Sequence, residues 1–369
     1  MTVELSPVTT FTARLLPALA RPGGNTVCSP LSAQVALTLA ALGARGETFA
    51  ELEQVLGAPA RELARTAAEL AQSLAAITDP AAAHLASGVW VHDEQALRGQ
   101  YRERVEQELG AGIGALDLTD AAAIDRSRTA INAWVAERTG GRIPELLSPG
   151  MLTPQTLLVL ISALHVTAPW MTPLHRADGD FALSDGTEVT VPMLHGTGSG
   201  WHEDAHATAT ALPTKGGALS LVLVRPAAST DAVLEAWAAD PSALAGLLDS
   251  ALGGGDRVRL GMPALETSWG ADLSGPLREL GLRRALSPAA DLRGILEGPA
   301  GISMVIQQAV LSIDEHGMEA AAATAAIMLT GAPATPRHEL TLDRPYLLLV
   351  CDTARRTPLL VGRIEDPQA

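Results

Sequence analysis

The stretch Ile313-Asp-Glu-His-Gly-Met-Glu-Ala-Ala-Ala-Ala-Thr-Ala-Ala-Ile-Met-Leu-Thr-Gly-Ala-Pro-Ala-Thr-Pro336 is the most unusual part of this chain. From Ala320 onward it carries no charged residue, although strand-like sequence lies on both sides of it. Alanine is the best helix former, so a buried helix is one interpretation. Gly317 before the alanines, and Gly331 and Pro333 after them, favour a loop instead. An uncharged loop between two strands is poorly suited to water, but it is suited to becoming a strand itself.

Outside this segment, the sequence changes from mainly helical to mainly strand-like patterns near the middle of the chain. The first third has apolar residues at helical spacing, and Ser29-Pro30 is a strong helix start that Gly43 brings to an end. Apolar runs of strand length follow, beginning with the continuous run from Thr156 to Val166. Helices and strands do not alternate regularly, and no linker or repeat divides the 369 residues. We therefore predict a single α+β domain over residues 1–369.

The composition excludes several classes of function. The formal net charge is −15, and Lys and Arg form no cluster that could follow a phosphate backbone, so no nucleic-acid partner is expected. The pairs Arg61 with Arg65 and Arg283 with Arg284 are interpreted as small solvated patches. No apolar run reaches the ~18 residues of a membrane span, so no membrane partner is expected either.

The segment Glu315-His-Gly317-Met-Glu319-Ala-Ala-Ala-Ala resembles the hinge of inhibitory serpins, which reads Glu-x-Gly-Thr-Glu-Ala followed by small residues. Further segments resemble serpin motifs in the family's order, so the resemblance covers essentially the whole chain. They are Asn25-Thr-Val-Cys-Ser29-Pro30-Leu-Ser32, Ala36-Leu37, Gly43-Ala44, Gly46-x-Thr48, the strand from Leu158 to Trp170, Leu212-Pro213-x-Lys215-Gly216, Ala290-Asp291-Leu292-x-Gly294-Ile295, Asp343-Arg344-Pro345-Tyr346 and Pro358-Leu359-x-x-Gly362.

The resemblance implies a serpin fold, with eight or nine helices around three β-sheets and an exposed reactive loop at about residues 315–337. It also implies an inhibitory member, of prokaryotic type, that is not an enzyme. A target serine protease cleaves the loop and is trapped as a covalent acyl-enzyme while the loop inserts into the main sheet. The expected partner is therefore that protease, and the inhibitor is expected to be a monomer with no cofactor, no metal and no bound heparin.

The resemblance also assigns roles to particular residues. Alternate residues of a strand face opposite sides, so Met318, Ala320, Ala322, Thr324 and Ala326 would share one face of the inserted loop, and none of them is charged. The predicted hinge consists of Glu315, Gly317, Met318, Glu319, Ala320, Ala321, Ala322 and Ala323. The predicted polar cluster beneath the sheet consists of Ser29, Ser32, Ser162 and Gln307, and Trp170 is the family's tryptophan in the upper sheet.

Four positions depart from the family's pattern. Met318 replaces the usual Thr or Ser, and an apolar, flexible side chain at this place should still permit insertion. Ser162 and Gln307 replace Asn and His in the polar cluster, so its hydrogen bonds must differ. Glu315 commonly pairs with a Lys in other serpins, and Ala264 stands at that position here, so the usual ion pair is not expected.

The scissile bond is predicted to follow one of three residues, Leu329, Thr330 or Gly331. Counting from Glu315 at the family's spacing ends at Gly331, whereas an apolar protease pocket would favour Leu329 or the nearby Met328. None of these residues is basic, and a trypsin-type pocket carries an Asp that they would leave unpaired. The predicted targets are therefore chymotrypsin-like, elastase-like or subtilisin-like proteases.

Other features of the sequence support different functions less well. His202-Glu203-Asp-Ala-His206 matches the H-E-x-x-H motif of zinc proteases, but that motif requires a helix, and the flanking glycines and alternating residues here favour a turn and a strand. A serpin without inhibitory activity is the second alternative, and the alanines of the hinge argue against it. Cys28 and Cys351 are interpreted as buried free thiols.

The location of the protein stays open at the level of the sequence. A soluble, extracellular protein is suggested by the family resemblance. The first residues, Met-Thr-Val-Glu-Leu-Ser-Pro, lack the basic and apolar regions of a secretion signal, which makes the cytoplasm the alternative.

Overall fold

The computed structural model describes residues 5–20, 24–75, 77, 81–92, 97–298, 301–318 and 336–369. Within these ranges the chain forms nine α-helices and fifteen strands, in a mixed α+β arrangement as predicted. The helices are α1 (Pro7–Leu19), α2 (Pro30–Gly43), α3 (Gly46–Leu56), α4 (Ala60–Ala75), α5 (Gly99–Glu103, continued by a π-helical turn at Arg104–Glu108), α6 (Ala121–Arg138), α7 (Thr230–Ala239), α8 (Pro241–Leu252) and α9 (Ser274–Glu279).

The strands form two hydrogen-bonded sheets in the described part of the chain. They are β1 (Thr26–Cys28), β2 (Ala82–Val91), β3 (Gly112–Ala115), β4 (Leu158–Pro169), β5 (His175–Ala182), β6 (Glu188–Glu203), β7 (Ala207–Pro213), β8 (Leu219–Pro226), β9 (Arg257–Pro263), β10 (Leu265–Asp272), β11 (Ile302–Ile313), β12 (Gly317–Met318), β13 (His338–Thr341), β14 (Tyr346–Asp352) and β15 (Thr357–Ile364).

The main sheet has six strands in the order β10-β11-β12-β4-β2-β3. The other sheet has nine, in the order β1-β15-β14-β8-β7-β6-β9-β13 with β5 also on β6. The described residues thus form two sheets where three were predicted, because the 16-residue β6 pairs with β5 and β9 through one half and with β7 through the other and joins these strands into one sheet.

The two faces of the main sheet pack against two separate hydrophobic cores. Leu160 and Leu164 of β4 belong to the larger core, which includes residues of α1 to α4. Ile161 and Ala163, which alternate with them, belong to a smaller core beneath α6, together with Ile131. Because β4 is buried on both faces, its sequence is a continuous apolar run rather than an alternating one.

Two pairs of consecutive elements are divided although their sequences run on without a linker. α7 and α8 are separate helices because Asp240 caps a new helix whose first residue is Pro241. β9 and β10 are separated only by Ala264 and lie in different sheets. Most of the predicted hinge and the scissile window, namely Glu319, Ala320, Ala321, Ala322, Ala323, Leu329, Thr330 and Gly331, lie outside the described residues.

Candidate functional site

The candidate site lies where strands β4 and β11 of the main sheet part. The two strands pair in parallel from Leu158 with Ile302 to His165 with Val310. Beyond His165 the short strand β12 lies between them, with Gly317 opposite Pro169 and Met318 opposite both Ala168 and Ile313. The first residues of the predicted hinge therefore already form a strand at the end of the gap between β4 and β11.

Met318 is the innermost described residue of this strand. Its side chain is fully buried and belongs to the larger core, as do its cross-strand neighbours Ala168 and Ile313. A threonine here would bring a hydroxyl into an apolar environment, where an unpaired polar group is costly. Methionine adapts its shape to irregular space, so the departure from the family's residue is compatible with insertion at this position.

A tight turn brings the chain back from β11 into β12. The carboxylate of Asp314 accepts hydrogen bonds from the backbone N–H groups of His316 at 2.7 Å and Gly317 at 3.0 Å. Trp170, which is buried, donates its indole N–H to the Asp314 carbonyl at 2.8 Å and its backbone N–H to the His316 carbonyl at 2.8 Å. The predicted upper-sheet tryptophan thus fastens the turn to the end of β4.

Glu315 lies in the same turn and forms an ion pair across the sheets. Its carboxylate lies 3.3 Å from a guanidinium nitrogen of Arg176 on β5. A hydrogen bond from its own backbone has the largest effect on the pKa of Glu315, and together with Arg176 it outweighs partial burial and holds this pKa below its usual range. Arg176 therefore supplies the positive charge that the sequence lacks at Ala264, and sequence reasoning missed it because the cation comes from a different strand.

The four residues of the predicted polar cluster meet beneath the main sheet. Gln307 on β11 and Ser162 on β4 are directly opposite each other, and both point toward the start of α2. The Gln307 amide nitrogen donates to the Ser29 carbonyl at 2.7 Å and lies 3.1 Å from the hydroxyls of both Ser32 and Ser162. The Gln307 amide oxygen accepts from the Ser29 backbone N–H at 3.1 Å, and the Ser32 and Ser162 hydroxyls are 2.6 Å apart.

This cluster joins the two strands that would have to separate for a new strand to enter. All four side chains are fully buried, and Ser29 also caps α2 by accepting a hydrogen bond from the Ser32 backbone N–H at 3.0 Å. None of the four carries a charge, so the connection consists of neutral hydrogen bonds, each contributing about 0.5–1.5 kcal/mol. These hydrogen bonds connect β4, β11 and the start of α2 directly.

The zinc-protease motif does not form a metal site. His202 and Glu203 lie at the end of β6, His206 lies in the turn before β7, and the helix that the motif requires is absent from these described residues. Within the described ranges no group of three or more His, Cys, Asp or Glu side chains is arranged to hold a metal ion. Cys28 and Cys351 are buried free thiols, and burial raises the pKa of each.

Comparison with known proteins gives a consistent result. A model of the family described as "Serpin (serine protease inhibitor)" matches residues 6–367. The chain is 30% identical to Iris of Ixodes ricinus, over 96% of this chain and 95% of that protein. It is 29% identical to the leukocyte elastase inhibitor of Bos taurus, over 94% of each chain. The native structure of the thermophilic serpin tengpin superimposes with a TM-score of 0.88 at 21% identity, over 99% of this chain and 96% of that one.

No helix in the described ranges combines the length and apolar character needed to cross a membrane.

Proposed function

Since the chain belongs to the serpin family and is thus an inhibitor of serine proteases rather than an enzyme, we propose that it acts once on each target, as a suicide substrate. The observation that carries this proposal is β12. Gly317 and Met318 already occupy the end of the gap between β4 and β11, with hydrogen-bonded partners on both sides. A loop that continues from Met318 would enter the sheet between these two strands.

The proposed reaction begins with cleavage of the reactive loop, residues 315–337. The target's serine hydroxyl attacks the carbonyl carbon of the scissile residue, the peptide C–N bond breaks, and a C–O ester bond joins the loop to the protease. The serine proton passes to the departing amine, which becomes a new N-terminus. The acylated loop segment is then free to follow Met318 between β4 and β11 and to carry the protease with it before water hydrolyses the ester.

The described register supports the expected side-chain fit of the inserted loop. Met318 faces the larger core, so alternation places Ala320, Ala322, Thr324 and Ala326 on the same face. Continuing the antiparallel register from Met318 and Ala168 brings Ala322 opposite Leu164, which is fully buried. An alanine fits this position without leaving a polar group unpaired, whereas a charge there would be costly.

We propose that the bond cut by the protease follows Leu329, Thr330 or Gly331. These residues suit proteases with apolar or small pockets, and one relative carries the name leukocyte elastase inhibitor. The proposed targets are therefore chymotrypsin-like, elastase-like or subtilisin-like enzymes. We further propose that the 369 residues form one domain that works as a monomer and forms a covalent complex with its target.

The direct experiment mixes the protein with chymotrypsin, elastase, subtilisin and trypsin and looks for a complex that survives boiling in SDS. We expect such a complex with at least one of the first three, and mass spectrometry of the released C-terminal fragment should place the cut within the Leu329–Gly331 window. Cleavage by all of them without a complex would identify a serpin that has lost inhibition. A cut after Arg337, or rapid complex formation with trypsin, would refute the proposed specificity.

Ala322→Arg tests the insertion step. We expect this variant to be cleaved as a substrate with little complex, because the guanidinium would enter the larger core beside Leu164. Glu319→Arg is the matched control, since the same register places residue 319 on the other face, opposite the partly exposed Thr167. The ratio of complex to cleaved inhibitor on SDS gels is the measurement. Equal ratios in Ala322→Arg and the parent protein would mean that the loop does not insert along this face.

A further inference from the structure

A cavity of about 430 Å³ opens beside strand β2 of the main sheet. Its walls come from β2, α2, α4 and the segment after the π-helical turn. They are mostly apolar, and they include Val35 of α2, Ala71 and Leu74 of α4 and Leu85 of β2. A volume of this size is typical of sites that bind small organic molecules.

Two polar groups in the cavity wall lack the partners that such groups usually have. Ser87 on β2 is 5% exposed, and its hydroxyl has no hydrogen-bond partner among the described residues. Buried hydroxyls are nearly always hydrogen-bonded, so this one requires an explanation. Arg138 at the exposed end of α6 also lines the cavity and makes no ion pair with a described carboxylate. Its contacts are the Gly110 carbonyl at 3.4 Å and the ring of Trp134, whose centroid is 5.2 Å away.

We propose that this cavity binds a small amphipathic acid. The ligand's carboxylate pairs with Arg138 at the mouth, its apolar body lies against the alanine and leucine side chains, and a hydroxyl or carbonyl on it hydrogen-bonds to the Ser87 hydroxyl. Arginine is well suited to a carboxylate because its planar guanidinium offers several donors at once. His84 also borders the cavity, but its ring stacks on His165 of β4.

The cavity's position connects it to opening of the main sheet, and this step rests on the proposed function. Ser87 lies directly opposite Ser162 across β2 and β4, and Ser162 is bonded to Ser32 at the start of α2. For a strand to enter between β4 and β11, β4 has to move away from β11, and β2, which is paired with β4, has to move with it relative to α2. A ligand that contacts both Val35 of α2 and Ser87 of β2 ties the moving strands to the helix. It therefore slows loop insertion and lets more inhibitor be lost as cleaved substrate.

Binding is tested by calorimetry on the intact protein, with a series of ω-hydroxyalkanoic acids of increasing chain length as probes. Alkanoic acids, which lack the hydroxyl, and alkane diols, which lack the carboxylate, are the matched ligands. We expect one hydroxy acid to bind at one site per chain, and each matched ligand to bind about tenfold more weakly. Failure of every hydroxy acid in the series to bind would overturn the proposal.

Variants locate the site on the molecule. Ser87→Ala and Arg138→Gln should each weaken the hydroxy acid about tenfold, and Ala71→Phe should abolish binding by filling the cavity. Arg126→Gln is the control, because it removes a charge from the same helix at a residue that faces Asp117 instead. Thermal unfolding checks that each variant is folded. If Ala71→Phe does not fold, Ser87→Ala and Arg138→Gln are sufficient to locate the site. Equal affinity in these two variants and the control would place the ligand elsewhere.

The effect on inhibition is measured separately, as the number of inhibitor molecules consumed per protease inactivated. Saturating hydroxy acid should raise this number in the parent protein and leave it unchanged in Arg138→Gln. Binding without such a change would disprove the coupling to sheet opening while leaving the site in place. If no protease is inhibited at all, the proposed function fails, and the calorimetric result is unaffected.

Discussion

At the scale of single residues, β4 and β11 are connected beneath the sheet by neutral side chains. The Gln307 side chain joins β11 to both Ser162 of β4 and the start of α2, because its amide has donors and an acceptor on one planar group. Removing it would leave the fully buried Ser29 backbone N–H without its Gln307 partner, whereas the Ser29 carbonyl still accepts from the Ala33 N–H at 3.1 Å. A buried group left unsatisfied costs about 1–3 kcal/mol, more than the net contribution of the bond itself.

Replacing Gln307 by Leu, which has similar bulk, should therefore lower the free energy of unfolding of the intact protein by about 1–3 kcal/mol. Urea unfolding followed by fluorescence measures this change. Gln308→Leu is the control, since Gln308 is the next residue on the strand and its amide contacts only the exposed Ser268 hydroxyl, at 3.3 Å. If the two variants lose the same amount, the cluster does not hold the gap closed.

His165 on β4 gives a pH dependence that can be tested. Burial, and secondarily the charges of His84 and Arg142, lower the pKa of His165 from 6.5 to about 4. Between these two pH values the unfolded chain binds a proton at this residue that the native protein does not bind. His165 should therefore not reduce the free energy of unfolding above pH 6.5. As the pH drops from 6.5 toward 4, protonation of this residue in the unfolded chain should reduce the free energy of unfolding.

His165→Phe should remove part of this fall, so the difference between variant and parent should grow as the pH is lowered from 7 to 4. Denaturant unfolding at a series of pH values measures the difference. His206→Gln serves as the control because His206 is exposed in the turn before β7. Parallel pH profiles for His165→Phe and the parent protein would show that His165 titrates normally.

At the scale of elements, the proposed reactive loop lies between two very short strands. β12 has two residues and lies between β4 and β11, and β13 has four residues at the edge of the other sheet, paired only with β9. At the β13 end, the ring of His338 stacks on Trp201 of β6 with centroids 4.2 Å apart. The Arg337 backbone N–H donates to the Arg257 carbonyl at 3.0 Å.

The attachment of β13 limits what an uncleaved loop can do. Following β4 from Ala168 down to Leu158 uses ten residues of the loop and spans about 33 Å. The loop residues that remain between the level of Leu158 and His338 reach only about 35 Å when fully extended. This length leaves no residues for the chain to pass around the edge of the sheet. Complete insertion without cleavage therefore requires β13 to detach from β9.

Trp201→Ala should accelerate loss of inhibitory activity by the uncleaved protein, because the variant removes the ring stacked on His338. The measurement is residual inhibition of the target after incubation at a series of temperatures, with SDS gels to confirm that the chain stays intact. Trp201→Phe, which keeps an aromatic ring, should restore most of the lifetime. If Trp201→Ala decays at the parent's rate, the stack does not secure β13.

At the scale of the whole molecule, the main sheet contains one pairing that an inserted strand would replace. β4 and β11 are parallel neighbours over residues 302–310 of β11, whereas β12 is antiparallel to both. A loop that continues β12 would exchange one parallel ladder for two antiparallel ones. Antiparallel pairing is somewhat more stable per residue, and the exchange adds a strand's worth of backbone hydrogen bonds. The intact fold is thus expected to be metastable.

Cleavage in the loop should consequently raise the melting temperature well above that of the intact protein, because the freed segment can complete the sheet. Differential scanning calorimetry of the intact and the cleaved forms measures the difference. Cleaved Ala322→Arg is the control, and it should gain much less because its loop cannot bury the arginine. Equal melting temperatures for the intact and cleaved parent protein would contradict loop insertion, though not the fold.

The sequence by itself determined the features that depend on local pattern. The α2 start at Ser29-Pro30, the long buried strand β4 and the segment that begins with Gly317 follow from capping, apolar runs and turn residues within a few positions of one another. The polar cluster and Trp170 were also predicted, through the family resemblance, and the structure brings Ser29, Ser32, Ser162 and Gln307 into one hydrogen-bonded group.

Only the tertiary structure decided the contacts between distant parts of the chain. Glu315 pairs with Arg176, 139 residues away in the chain, instead of with a lysine at the position of Ala264. The ring of Trp201 on β6 stacks on His338 of β13. Ser87 points into a cavity, and it lies on β2, a strand that the apolar pattern did not reveal. Periodicity reports which face of an element is buried, but not which other element covers it. That choice follows from how the strands are ordered in the two sheets and how the helices pack on them, so it cannot be derived from spacing along the sequence.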